Sequence, residues 1–235
     1  MTVLNMFRAY LPSVNARACH FDEYSHILSY MVRTAAPVDG RRQRSHETRE
    51  RIREAAWELF STVGYDATTT QAIAKRAGVA AGTVFVHASD KADLLFLVMH
   101  DKLAEVVEDR FAALPDGPLL DRLLFVFGGL YRMYGEHPGV AAAFVRNLPG
   151  AAGPNAQRMT MLTFGFVHRV SLLVADAQSR GEVSREVEPL ACAQNLFALY
   201  FMALMMWLSG HATLESALVP VLRDAIALQI RGFRP

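Results

Sequence analysis

The chain holds only two cysteines in 235 residues, Cys19 and Cys192, far apart and with no histidines at ligand spacing beside them. That excludes a disulfide framework and a zinc-finger type of centre, and it fits a reducing, cytoplasmic setting. Charge of one sign is missing too. Lys and Arg number 24 against 23 Asp and Glu, a net charge of +1, so the molecule is not a polycation. Long hydrophobic runs are scarce. Residues 196–208 are thirteen apolar positions in a row, short of the roughly 20 that a membrane span needs. Gln194 and Asn195 before the run and Gly210 after it favour a buried helix, so no membrane partner is expected. Arg8, Arg17 and the polar residues 22–26 break up any apolar leader, and no secretory signal is expected. No Gly-x-Ser-x-Gly, phosphate-binding glycine loop or carboxylate pair beside a nucleophile occurs. The eight histidines are scattered. An enzyme is therefore not expected, nor a cofactor, nor a metal.

What is present is helical periodicity and an uneven distribution of charge. Residues 41–91 carry nine Lys or Arg against six acids, while residues 92–235 carry twelve against fourteen. The small basic excess sits in the N-terminal part, as contact with phosphates requires. Ile52, Ala55, Ala56, Leu59, Phe60 and Val63 follow the three–four spacing of one helix face, which predicts a helix over residues 46–63 with Ser45 as its cap and Gly64 as its end. Residues 40–44 read as a basic arm ahead of it. Prolines and glycines punctuate the rest regularly, and no stretch reads as a strand. The expected fold is all-α with about nine helices in two parts. Residues 1–40 are expected to be an N-terminal extension with little order, Met31 being the more natural start. Residues 41–95 are expected to form one domain and residues 96–235 a helical C-terminal one. Pro220 lies inside the last helix and predicts a kink or a late start there.

The most informative stretch is 68–95. Ala72, Ile73 and Ala77 give one apolar face and Lys75 and Arg76 the other. Gly78 supplies the positive φ that stops a helix sharply, and Val79 packs back across the corner. Ala80, Ala81, Gly82 and Thr83 open a helix with a slim outer face, suited to lie against base edges in a major groove. Thr69 or Thr70 caps the helix before it, and Ser89 or Asp90 the helix after it.

These residues stand in register with Ala55, Ala56, Leu59, Phe60, Gly64 and Tyr65 before them and Val84, Phe85, His87, Lys91, Leu94 and Leu95 after them. The series resembles the DNA-binding domain of the tetracycline-repressor (TetR) family over residues 45–95. The rest of the chain fits that family by length and helical pattern. Phe85 stands where the family usually has Tyr, Ala88 where it has Phe and Ala81 where it has Ser; the first and last of these remove a polar DNA contact each. The resemblance implies DNA contacts from Arg44, Arg49, Thr69, Thr70, Gln71, Ala81, Gly82, Thr83, Val84, Phe85, His87 and Lys91. Ala81 and Thr83 are expected to face bases, and Thr70, His87, Lys91 and the basic arm to hold phosphates.

The C-terminal part is rich in large, soft side chains. Core packing explains most of them, and a subset is expected to line an apolar ligand pocket: Phe127, Tyr131, Tyr134, Phe144, Met161, Phe164, His168, Phe197 and Phe201. Arg132, Asn147 and Gln194 join His168 as polar groups near it. The last two helices carry more apolar surface than one layer hides. Leu204, Leu208, Leu218, Leu222 and Ile226 are expected in a homodimer interface, which resemblance to the family implies is a four-helix bundle. The expected function is a ligand-responsive transcriptional regulator, a repressor that binds palindromic operator DNA as a homodimer and is released by a small apolar or aromatic effector. The resemblance implies release by a tilt of the fourth helix. A regulator that ignores small molecules and an interaction module that does not bind DNA are the alternatives.

Overall fold

The computed structural model describes residues 40–233. The extension expected over residues 1–40, Met31 and Cys19 lie outside these residues, Gly40 excepted. The described part is helical, with no strand among the described residues. The elements are α1 (Gly40–Thr62), α2 (Thr70–Ala77), α3 (Ala81–His87), α4 (Lys91–Ala112), α5 (Leu119–Glu136), α6 (Pro138–Asn147), α7 (Pro154–Ser179) and α8 (Pro189–Leu208). A last helix, α9, comes in three pieces: Leu214–Ser216, a wide π-type turn Ala217–Leu222, and Arg223–Gly232.

Two units are distinguished, divided between Glu50 and Arg51; of the first, residues 40–50 are described. In the first, the basic residues expected as an arm are already helical, because α1 starts at Gly40 rather than after Ser45. Arg44 Nε donates to the Gly40 carbonyl at 3.0 Å and the Gln43 amide to Glu47 at 2.9 Å, the i,i+4 pairs that support an exposed helix start. In the second unit, Ile52, Ala55, Ala56 and Phe60 are buried as the spacing predicts. Gly64, at φ +96°, ends the helix.

Proline and acid punctuation sets the later helices. Pro138, Pro154 and Pro189 each open a helix, where their missing N–H costs nothing. Glu188 caps α8 by accepting from the Leu190 and Ala191 N–H groups. Glu182 accepts from Leu119 N at 2.7 Å and so caps α5 from a distance of 63 residues. Thr213 and Ser216 form a reciprocal capping box at the start of α9. The break expected at Pro220 is present: Val219 leaves helical geometry at φ −137°, ψ 116°.

α4 is the axis of the second unit. Asp93 to Met99 are seven consecutive buried residues, so this stretch is enclosed on all sides instead of showing the usual one-sided stripe. The boundary expected between residues 95 and 96 therefore falls inside a continuous helix, within its enclosed stretch 93–99. α8 is 20 residues long and apolar enough to cross a membrane by length and composition; it packs against α7 and α9.

Cys192 lies on α8 with 1% of its surface exposed. Burial first, and the Glu188 carboxylate second, push its thiol up to about 12. With Cys19 replaced by serine, the folded protein should react with an aromatic disulfide reagent at pH 8 at least about 100-fold more slowly than the denatured chain, since only the thiolate attacks. Equal rates would place the thiol at the surface.

Candidate functional site

The helix-turn-helix is built as the sequence predicts, except that Ala74 and not Ala72 joins Ile73 and Ala77 on the buried face. Thr69 is the cap of α2, its hydroxyl accepting from Ala72 N at 3.1 Å, which is worth about 1 kcal/mol to so short a helix. Gly78 ends α2 at φ +64°, with Val79 N donating to the Ala74 carbonyl at 3.0 Å, and Val79 packs on the core. Ile73, Ala74 and Ala77 are buried, and Val84 anchors α3 with no exposed surface.

The outward side of α3 carries Ala81, Gly82, Phe85 and Val86, all exposed, with Thr83 half-buried beside them. A Cβ added at Gly82 would meet nothing within 4 Å. This surface is slim at its N-terminal end and free of acids, so a nucleic-acid groove could approach it closely. Thr69 and Gln71 are exposed and Thr70 half-buried. Lys75 is exposed, while Arg76 pairs with Glu58 at 2.7 Å. Phe85 is 52% and Val86 76% exposed, more apolar surface than a short helix usually leaves to water. Arg44 and Arg49 belong to the first unit, where Arg49 faces Glu50 at 3.7 Å.

One expected phosphate contact is placed differently. Lys91 turns its ammonium inward, donating to the carbonyls of Tyr65 at 3.0 Å, Thr68 at 3.1 Å and Asp66 at 3.3 Å, and it lies over the Tyr65 ring at 4.5 Å. Its three donors tie the loop between α1 and α2 to the start of α4. His87 is half-buried, and its carbonyl accepts from the Asn155 amide at 2.9 Å.

A cavity lies among α4 to α8. Leu103, Val107, Leu130, Tyr134, Phe144, Val145, Leu148, Met159, Leu162, Thr163, Phe166, Phe197, Tyr200, Phe201 and Leu204 line it, and its free space is ≈ 80 Å³ for the centres of water-sized molecules. Of the expected pocket residues, Tyr134, Phe144, Phe197 and Phe201 are here. Phe127 and Tyr131 are buried in the aromatic core behind it: Phe127 stacks on Tyr200 at 4.9 Å, and the Tyr131 hydroxyl donates to the Tyr200 carbonyl at 3.3 Å. Burial pushes the Tyr134 phenol up to about 12 and raises Tyr200 as well, so both remain neutral hydrogen-bonding groups. Met161, Phe164 and His168 correct the sequence expectation, because they lie on the exposed face of α7. Residues one helical step away, Met159, Leu162, Thr163 and Phe166, take their place. Spacing alone could have separated the two faces, but both carry Met and Phe.

Three of the expected dimer residues are also corrected. Leu204, Leu222 and Ile226 are at most 1% exposed and belong to the chain's own core. Leu208 and Leu218 are half-buried and pack against it. The exposed apolar side chains on these helices are Met202, Met205, Val219 and Leu228. Among the described residues, no three His, Cys, Asp or Glu side chains gather as metal ligands would.

Residues 52–98 match the family model for bacterial regulatory proteins of the tetR family. Over 81 residues the chain is 35% identical to the HTH-type transcriptional regulator AcrR of Shigella flexneri, covering 33% of this chain and 38% of that protein. Over 102 residues it is 34% identical to the HTH-type transcriptional repressor KstR of Mycolicibacterium smegmatis, covering 43% of this chain and 50% of that one. The chain thus spans half or less of the length of these curated relatives. The transcriptional regulator FadR from Bacillus subtilis, solved in complex with stearoyl-CoA, has a similar fold: the TM-score is 0.62 at 19% identity, covering 79% of this chain and 99% of that one. Residues 52–98 thus form a helix-turn-helix domain of the kind found in bacterial regulatory proteins of the tetR family, and the fold of the chain is similar to that of FadR.

Proposed function

We propose that this chain is a cytoplasmic repressor, without enzymatic activity, that binds a palindromic operator as a homodimer and is released by an apolar effector. The observation that carries the reading is the acid-free, slim N-terminal end of α3, held outward by the Thr69 cap, the Gly78 corner and the buried Val84. Ala81, Gly82 and Thr83 read bases, with Phe85 against sugar or thymine methyl groups. Thr69, Thr70, Gln71 and Lys75 approach the backbone, and Arg44 and Arg49 add charge. Two-fold symmetry would set two such helices about 34–36 Å apart. Met202 and Met205 on α8, with Val219 and Leu228 on α9, supply the apolar surface for the second copy.

The effector enters the cavity among α4 to α8. Its lining offers hydroxyls from Thr163, Tyr134 and Tyr200 and is otherwise hydrocarbon and aromatic, which suits an acyl chain or an aromatic ring. The bound stearoyl-CoA of the Bacillus subtilis FadR makes a long acyl group the first class to try. A second reading, a regulator that answers to no small molecule, is favoured by the cavity's small free space of ≈ 80 Å³.

Fluorescence anisotropy on the DNA just upstream of this protein's own reading frame, over a salt series, tests the DNA reading. Tight, selective binding that weakens steeply with salt is expected. Equal weak binding to every sequence would overturn it. Adding stearoyl-CoA and then a planar aromatic to the bound complex separates the two effector readings. Release supports the ligand-responsive one, and unchanged anisotropy with both favours the other.

A further inference from the structure

Asp93 is a carboxylate with no exposed surface, and a buried charge is tolerated only when its lone pairs are filled. Here four donors fill them. Oδ1 accepts from the backbone N–H groups of Asn155 and Ala156, both at 3.0 Å. Oδ2 accepts from Ser89 N at 3.0 Å and from the Asn155 amide at 3.1 Å. That same amide donates to the carbonyl of His87, the last residue of α3, at 2.9 Å. Pro154 has no N–H, so Asn155 and Ala156 carry the first free donors of α7, and Asp93 caps that helix from another element. In return Asn155, 97% buried, donates to the carbonyl of the last residue of α3.

The close approach is built in. Gly153 stands before α7 at φ +107°, and a Cβ there would lie 2.5 Å from Ser89 Oγ and 2.6 Å from Asp93 Cγ. Asn155 precedes the cavity-lining Met159 by one turn of the same helix. A second polar link between these parts, Arg146 to Asp66, is 58% and 78% exposed, where an ion pair holds little; Arg53 to Asp101 at 3.6 Å is another.

We infer that Asp93 and Asn155 are positioning residues: a buried latch through which the start of α7, one turn from the cavity, sets the orientation of the C-terminal end of α3. The inference rests on the reading that cavity and DNA-reading helix serve one regulatory function. It concerns how they are joined. When α7 shifts to admit an effector, Asn155 leaves His87 and Asp93 loses its α7 donors, so α3 is freed directly as well as through α4.

The test is amide hydrogen exchange on the full chain, without DNA or effector. Asn155→Ala keeps the Asp93 cap on the α7 backbone and cuts only the amide links. Exchange over residues 81–88 should rise about fivefold or more, while the first turn of α7 and all of α8 keep wild-type rates. Unchanged exchange over 81–88 would overturn the latch and leave Asp93 as a plain helix cap. Should Asn155→Ala not fold by circular dichroism, Asp93→Asn serves. Whichever way its amide faces, one side meets two donors and two of the four bonds are lost, so α3 or α7 must loosen at its end of the latch. Loosening of α7 with α3 unchanged refutes the coupling. Loss of operator binding by the wild-type protein would sink the regulatory reading and would leave the exchange result standing.

Discussion

Gly82→Glu should lower affinity for operator DNA about 100-fold or more while leaving the melting temperature at or above the wild-type value. Gly82 is exposed on α3, and a side chain there meets nothing within 4 Å, so the carboxylate is accommodated without strain. Replacing a helical glycine by glutamate removes about 0.5–1 kcal/mol of backbone entropy cost. On DNA, the new charge would lie among phosphates, and a like-charge juxtaposition costs several kcal/mol. A dimer carries it twice. Anisotropy on the upstream DNA, with a thermal melt of the same sample, reads both quantities. Retained affinity in a folded protein would remove α3 from the interface.

Leu222→Ala should cost about 2–5 kcal/mol and lower the melting temperature by roughly 10 °C. The residue has no exposed surface and sits at the end of the wide turn in α9, where the helix recovers after Pro220. Leu222→Arg should leave little folded protein of any size, because an unpaired charge would be buried there. Leu228→Glu, on the same helix but 64% exposed, should leave the melt of the protomer almost unchanged and weaken self-association. Sedimentation and circular dichroism on the three variants separate the cases. A folded, monomeric Leu222→Arg protein would return that leucine to the dimer surface.

The DNA-binding half was legible because its signals are local. A cap at Thr69, a corner at Gly78 and an anchor at Val84 each act within a few residues, and spacing places them. Lys91 was not legible, since its three carbonyl acceptors come from a loop some 25 positions earlier. The C-terminal half was read correctly as helices and incorrectly as faces. α7 carries Met and Phe on both sides, so hydrophobicity cannot tell Met159 and Phe166, at the cavity, from Met161 and Phe164, at the surface. α9 misleads for another reason. Its turn at residues 217–222 resets the helical phase, and a face drawn straight through it points Leu222 and Ile226 outward. Asp93 lies in the first turn of α4 and drew no attention in the sequence, because nothing near it announces a partner 62 residues on.

The unbroken α4, enclosed over residues 93–99, has a consequence for anyone who would treat this protein as two exchangeable modules. A hybrid sensor joined between residues 95 and 96 would keep every residue of the DNA reader. Yet it would set Asp93 against a foreign α7 and ask the new half to enclose Phe96 to Met99. Such grafts should succeed only when the incoming half brings a glycine and a donor side chain to the places of Gly153 and Asn155, so the seam has to be chosen in three dimensions and not along the chain.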